Sequence, residues 1–548
     1  MTAAGTPRRS LRAVGAIAAL GLVLTACADT SEGDDPTATG GTAGGGTDSI
    51  SVGTTDVITS LDPAGSYDNG SFAVQNQVFP FLLNTPYGSP DVEPDIAESA
   101  EFTAPNEYTV TLKEGLTFAN GHELTSSDVK FSFDRQLGIA DPNGPSSLLY
   151  NLDSVAAPDE RTVVFTLKSE NDQTFPQILS SPVGPIVDEE VFSPTELTPA
   201  DTIVAEKAFG GQYLITDYTE NELIRYEAFE DYMGLLEPAV TKVVTAQYFT
   251  EETSLKLAVQ QGDVDVAFRS LSPTDLADLA QDENVTVHEG PGGEIRYIVF
   301  NFATQPYGTD TADADEAKAL AVRQAAAHLL DRQALSEEIY QGSFTPLYSY
   351  VPDGLTGAAE PLKELYGDGA GAPDADAAAA ALSEAGVETP VALNLQYSPD
   401  HYGNSSDEEY AMIEAQLEAS GLFDVSLQST LWDTYSTERR EDVYPAYQLG
   451  WFPDYSDADN YLSPFFLPEN FLGNHYEDDA ATEAILGQAS EADEAARTAL
   501  IEDAQRIVAE DLSTLPYLQG AQVAVAGTDI TGVTLDASFK FRYAPLGR

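Results

Sequence analysis

Apolar residues recur at every second position in three short stretches of the chain. Tyr108-Val110-Leu112, Val163-Phe165-Leu167 and Val391-Leu393-Leu395-Tyr397 alternate with polar neighbours, the period of a strand with one buried face. Elsewhere the spacing is helical. Leu255, Ala258 and Val259 run into Gly262, a residue suited to the left-handed position that closes a helix. The chain then returns to strand spacing at Val264-Val266-Phe268. Tyr410, Ile413 and Leu417 stop at Gly421 in the same way, and Leu500, Ala504, Ile507, Val508 and Leu512 form a long stripe near the C-terminus. From Ala317 the face Val322, Ala325, Ala326, Leu329 is in register, but Leu335 and Ile339 fall outside it. Asp331, at the break, is expected to cap a second helix. Strands and helices that alternate along most of the chain, with no internal repeat, predict α/β lobes and not a solenoid or a bundle.

The first 26 residues read differently. Arg8, Arg9 and Arg12 precede an apolar run from Ala13 to Leu24, too short to span about 30 Å of hydrocarbon and typical of a secretory signal. Leu24-Thr25-Ala26-Cys27 follows, which places the single cysteine where a lipoprotein would carry its acyl chains. A Gly/Thr/Asp-rich stretch from Thr30 to Asp48 would then act as a tether. Several acyl chains on one residue, at about 0.8 kcal/mol per buried CH₂, hold where one would not. The expectation is an extracytoplasmic protein, lipid-anchored through Cys27 to the outer face of the cell membrane. Arg8-Arg9 leaves the twin-arginine and general export routes both open.

Charge narrows the partners. The 548 residues hold 90 acidic and 25 basic side chains, a net −65 that becomes about −68 once the leader's three arginines are gone. A phosphate polyanion would approach a like-charged surface, so nucleic acid is excluded as a partner. One cysteine rules out an internal disulfide and a Cys-rich zinc motif, and the five histidines include no His-Glu-x-x-His pair. No metal site and no cofactor are predicted. Catalytic signatures are missing too: no Gly-x-Ser-x-Gly elbow, no Walker loop, no Gly-x-Gly-x-x-Gly after a strand. Ninety carboxylates guarantee some pair at glycosidase spacing, so acids alone argue nothing for hydrolysis. The chain is read as a binder and not an enzyme.

The segment Leu112-Lys113-Glu114-Gly115-Leu116-Thr117-Phe118-Ala119-Asn120-Gly121-His122-Glu123-Leu124-Thr125-Ser126-Ser127-Asp128-Val129-Lys130-Phe131 resembles the signature of the family 5 extracellular solute-binding proteins, the peptide- and nickel-type receptors of ABC importers. Further landmarks occur in family order: Leu61-Asp62-Pro63-Ala64, Gln261-Gly262-Asp263-Val264-Asp265, Phe300-Asn301, Val322-Arg323-Gln324-Ala325 with Asp331-Arg332, and Gly450-Trp451-Phe452-Pro453-Asp454-Tyr455. The physical content of the long segment is structural. Lys113-Glu114-Gly115 ends a strand in a turn, Asn120-Gly121 is a hairpin pair, and Ser126 or Ser127 can cap a helix whose Asp128 suits the N-terminal dipole.

The resemblance implies a type II periplasmic-binding-protein-like fold of two α/β lobes, with an extra domain on the first and a hinge near Val299 and Pro516. The expected boundaries are 1–26 signal peptide, 27–47 tether, 48–92 with 200–299 and 516–548 as lobe I, 93–199 extra domain and 300–515 lobe II. The implied role is capture of di- to oligopeptides by a monomer that hands them to ABC permease subunits. A nickel chelate, an opine or an oligosaccharide is the alternative ligand, and a secreted hydrolase the remote one.

The resemblance also implies a site. The Asp of the Trp-x-x-Asp-Tyr stretch pairs with the peptide ammonium in the relatives, and the match falls on Asp454, with Trp451 and Tyr455 beside it. A receptor that accepts many side chains draws affinity from what all peptides share, the backbone and the charged ends. Ser66 and Tyr67 are expected to offer contacts from the first lobe, and Arg296 and Tyr297 to stand beside the hinge, where a cation could meet a carboxylate. Tyr435, Tyr444 and Tyr447 read as packing.

Overall fold

A computed structural model describes residues 49–548, apart from positions 270, 403, 404 and 469. The signal peptide, Cys27 and the tether lie outside the described residues.

Three of the patterns read from the sequence form strands where expected, at Glu107–Leu112, Thr162–Leu167 and Val391–Tyr397. The first two belong to a four-stranded antiparallel sheet with Ala97–Ala104 and Leu152–Ala156. Its apolar face packs on the helix Ser126–Ile139 through Val110, Phe133, Phe165 and Phe175. That helix is capped by Thr125, one residue before the two serines expected to do so. The Thr125 side chain accepts from the helix backbone while Asp128 reaches back to the Thr125 N–H, a reciprocal pair that satisfies two orphan donors at once.

The first lobe is built on a seven-stranded sheet. At its centre β1 (Ser49–Thr54) lies parallel to both of its neighbours, β2 (Val243–Tyr248) and β3 (Val266–Phe268). Antiparallel strands flank this core, Gln522–Gly527 and Val285–Gly290 beyond β3, Leu223–Ala228 and Tyr213–Thr219 beyond β2. The chain leaving β1 enters α1 (Asn69–Val78), whose Val74 and Val78 pack with Ile50 and Val52 on one face. The chains leaving β2 and β3 enter α2 (Glu252–Gln261) and α3 (Pro273–Leu279), which pack on the other. Adjacent parallel strands that send their chains to opposite faces leave a crevice at their carboxyl ends.

The second lobe has a six-stranded sheet with β4 (Ile295–Phe300) between β7 (Ala446–Trp451) and β8 (Thr514–Gly520), both antiparallel to it. β5 (Val391–Tyr397) is parallel to β7 and to β6 (Phe423–Ser429), and Phe344–Pro346 closes the far edge. Because β4 and β8 pair inside this sheet, the chain changes lobes at residues 291–294 and again at Ala521. The expected hinge at Val299 and Pro516 moves accordingly. β4 and β8 are central strands, buried on both faces along their whole length, so no alternation marks where one lobe stops. At the crossing Gly292 packs so closely that a Cβ would lie 1.8 Å from the Gly520 carbonyl oxygen. Among the described residues no helix is long and apolar enough to cross a membrane.

Candidate functional site

The loop after β1 in the first lobe and the loop after β7 in the second meet through Tyr67 and Asp454. In the first lobe Tyr67 stands in the loop after β1. Asp62 anchors that loop: fully buried, it accepts from the Ala64 and Thr198 backbone N–H groups at 3.0 and 2.6 Å and forms a two-toothed pair with Arg135, 2.8 and 2.5 Å. Such forked pairs fix geometry as well as charge. The Leu61-Asp62-Pro63 landmark therefore positions the loop, and Arg135, silent in the sequence, is its partner.

In the second lobe β7 ends at Trp451 and delivers Phe452, Pro453 and Asp454. Asn460 holds this turn. Its side-chain oxygen accepts from the Trp451 indole N–H at 3.1 Å and from the Asp454 backbone N–H at 2.9 Å, while its amide donates to Asp454 Oδ2 at 3.1 Å. The ring of Trp451 packs edge-on against Phe465, centroids 4.9 Å apart. Trp451 thus orients Asn460, and Asn460 orients the carboxylate.

Tyr67 donates its hydroxyl to Asp454 Oδ1, a hydrogen bond between the lobes. Asp454 is half-buried, and its Tyr67 partner is exposed. Burial pushes its pKa up against the pull of the Tyr67 and Asn460 hydrogen bonds. Burial, and then the adjacent carboxylate, push the Tyr67 hydroxyl up as well. Both partners of Asp454 are neutral, and no Lys or Arg forms a salt bridge with it among the described residues. Its neighbours differ. Asp457 is paired with Arg497 at 2.9 and 2.7 Å. Asp459 is fully buried, accepts from Ser463 and Gln488, and has its pKa pushed up to about 6, chiefly by burial. A half-buried carboxylate with two neutral donors and spare lone pairs can accept a further donor, and a cationic one would make the stronger, charge-assisted hydrogen bond.

The remaining expected site residues are placed elsewhere. Tyr455 packs against the core of the extra domain, its hydroxyl 3.4 Å from Asp459 Oδ2. Ser66 is buried and accepts from Gln75 Nε2 at 2.7 Å. Arg296 and Tyr297, expected beside the cleft, are both turned into the second lobe's core. Adjacent residues on β4 point to opposite faces, and each face is covered. Arg296 lies over the Tyr402 ring at 4.7 Å and within 2.5 Å of Glu294; Tyr297 is fully buried against Tyr350 and Phe465. Tyr435, Tyr444 and Tyr447 are packing residues of the same core.

A family model described as bacterial extracellular solute-binding proteins, family 5 (middle), matches residues 91–473. The chain belongs to this family. Members are solute-binding proteins and not enzymes, and the type II two-lobed fold follows with membership. The chain is 24% identical to the dipeptide-binding protein of Escherichia coli K12 over 426 residues, 73% of this chain and 74% of that one. It is 27% identical to heme-binding protein A of Haemophilus influenzae over 555 residues, 95% and 96% of the two chains. The solved structure of HbpA2 from Haemophilus parasuis superimposes with a TM-score of 0.76 at 22% identity, covering 91% of this chain and 99% of that one.

Proposed function

We propose that this family 5 receptor is anchored outside the cell membrane through Cys27, captures peptides of two to a few residues between its lobes, and delivers them to the permease of an ABC importer. Asp454 receives the peptide ammonium. The observation that carries this reading is the half-buried Asp454 carboxylate, held between the lobes by the neutral donors Tyr67 and Asn460 and in no ion pair among the described residues. A partly desolvated acid of this kind gains from a cation, and an α-ammonium supplies the charge with up to three donors. Tyr67 comes from one lobe and Asp454 from the other, so a ligand seated on them touches both lobes. It then favours closure by its differential affinity for the closed state. The relatives named for dipeptides agree with this chemistry. The protein acts as a monomer and transforms nothing.

The test is a thermal-shift panel on the full chain with dipeptides, N-acetylated dipeptides, hemin and nickel chelates. A ligand at 100 times its Kd stabilises the folded form by about 2.7 kcal/mol. Dipeptides are expected to raise the melting temperature and their N-acetylated forms are not. A shift with hemin or a chelate and none with any peptide refutes the reading.

A further inference from the structure

Arg296 is closed inside the second lobe with more hydrogen-bonding capacity than its surroundings use. It stands on β4 two residues after Glu294, the end of the crossing at 291–294, and its side chain is 5% exposed. Nη2 donates to the Tyr402 carbonyl at 2.7 Å and lies 2.5 Å from Glu294 Oε1, a charge contact out of line for a hydrogen bond. Nε and Nη1 reach no acceptor among the described residues. Buried donors left without acceptors are rare and cost stability. The guanidinium lies over two rings, 4.7 Å from the centroid of Tyr402 and 5.4 Å from that of Phe344. Phe344 in turn packs on Gly520, beside the second crossing at Ala521: a Cβ on that glycine would lie 3.0 Å from the Phe344 ring. A flat cation stacked on ring faces can turn in its own plane without losing them.

A second carboxylate lies within charge reach. Glu409, on the helix Ser406–Glu418, is fully buried and accepts the hydroxyls of Tyr340 and Tyr517, both neutral donors. No Lys or Arg forms a salt bridge with it among the described residues. Burial pushes its pKa up, and Arg296 is the first charge that pulls it back. Two acids therefore compete for one buried cation. Glu294 is half-buried at the crossing and changes its place when the lobes turn; Glu409 belongs to the interior of one lobe and does not. We infer that Arg296 is a two-position charge at the hinge, which serves Glu294 in the arrangement of this structure and Glu409 when the lobes turn about the crossing, so that the two carboxylates set the balance between the arrangements. Rotation of lobe against lobe is absorbed by the few residues that cross. It draws Glu294 away from Nη2, and the guanidinium turns its unused nitrogens to Glu409. In this structure Tyr340 and Tyr517 hold Glu409 in the cation's place. The switch acts on the closing motion and holds whichever solute is bound.

The experiment is small-angle X-ray scattering from the full chain with no solute added, read as the ratio of the two lobe arrangements. Glu294→Gln is expected to move that ratio about tenfold toward the turned arrangement, as the loss of a charged partner allows. Adding Glu409→Gln to it is expected to bring the ratio back toward wild type, because the competing acid is then gone as well. A merely structural role for the two acids predicts the reverse, a second substitution that loosens the lobes further. Tyr340→Phe leaves Glu409 one hydroxyl short and in greater need of the cation, so it should move the ratio in the same direction as Glu294→Gln; it carries the test if the double variant does not fold. An unchanged ratio in Glu294→Gln, a double variant further from wild type than the single one, or a Tyr340→Phe variant that does not move toward the turned arrangement overturns the assignment.

Discussion

Asp454→Asn changes one charge and almost no volume. In the structure Asp454 takes the Tyr67 hydroxyl on one oxygen and the Asn460 amide on the other. The substituted amide can still accept from Tyr67, but its nitrogen then faces another amide nitrogen, so some local order is lost with the charge. Truncating one partner of a desolvated charge pair costs about 2–4 kcal/mol, a factor of about 30 to 900 in affinity. Because Asp454 keeps part of its surface near water, the expected loss lies in the lower part of that range, about 30- to 100-fold. Calorimetry with a dipeptide and its N-acetylated form separates lost charge from lost order. In wild type, acetylation should be as damaging as the substitution. In the variant it should cost little more, because the pair is already broken, and the two changes are then strongly non-additive. Equal dipeptide affinity in wild type and variant, or an undiminished acetylation penalty in the variant, refutes the reasoning.

Other perturbations carry their own signs. Burial raises the Asp454 pKa in the free protein, whereas a bound ammonium would lower it. Dipeptide affinity should therefore be level at neutral pH and fall as pH drops through the raised value, by up to tenfold per unit. A pH titration of Asp454→Asn should be flat over the same range. His401, whose pKa burial lowers to about 4, stays neutral across most of it. Arg296→Met should lower stability to urea without changing discrimination between a dipeptide and its amide, since Arg296 lies inside the second lobe. Altered discrimination would return that residue to the site. Gly292→Ala places a methyl group 1.8 Å from the Gly520 carbonyl oxygen at the crossing between lobes. It should cost about 1–3 kcal/mol in chemical denaturation; an unchanged midpoint would mean the crossing is not packed as described.

Half-buried elements and the short buried strand at Val266–Phe268 were legible from the sequence, whereas the two central strands of the second lobe were not. The alternation at Tyr108-Val110-Leu112 and at Val391–Tyr397 marks strands with one covered face. Gly262, at φ 73°, closes its helix as its position suggested. Asp331 caps the next short helix by accepting from Ala334 N–H at 2.9 Å. Ile295–Phe300 and Thr514–Gly520 are covered on both faces. Their near-continuous apolar character conceals both the lobe boundary and the side to which Arg296 points. At the site, the motif around Asp454 could be recognised, but its supports could not. Arg135 reaches Asp62 over 73 positions, and Tyr67 reaches Asp454 over 387. Asn460 was close enough in sequence to notice, yet nothing in an Asp-rich loop separates it from a solvated neighbour until the Trp451 indole is seen donating to it.

A crystal structure of the full chain with Ala-Phe bound would test the central claim most directly. The account predicts the peptide enclosed between the lobes, with its ammonium nitrogen about 2.7–2.9 Å from an Asp454 carboxylate oxygen, the length of a charge-assisted hydrogen bond. A peptide seated elsewhere, or one lying between the lobes with its ammonium on another group and Asp454 still occupied by Tyr67 and Asn460 alone, would contradict it.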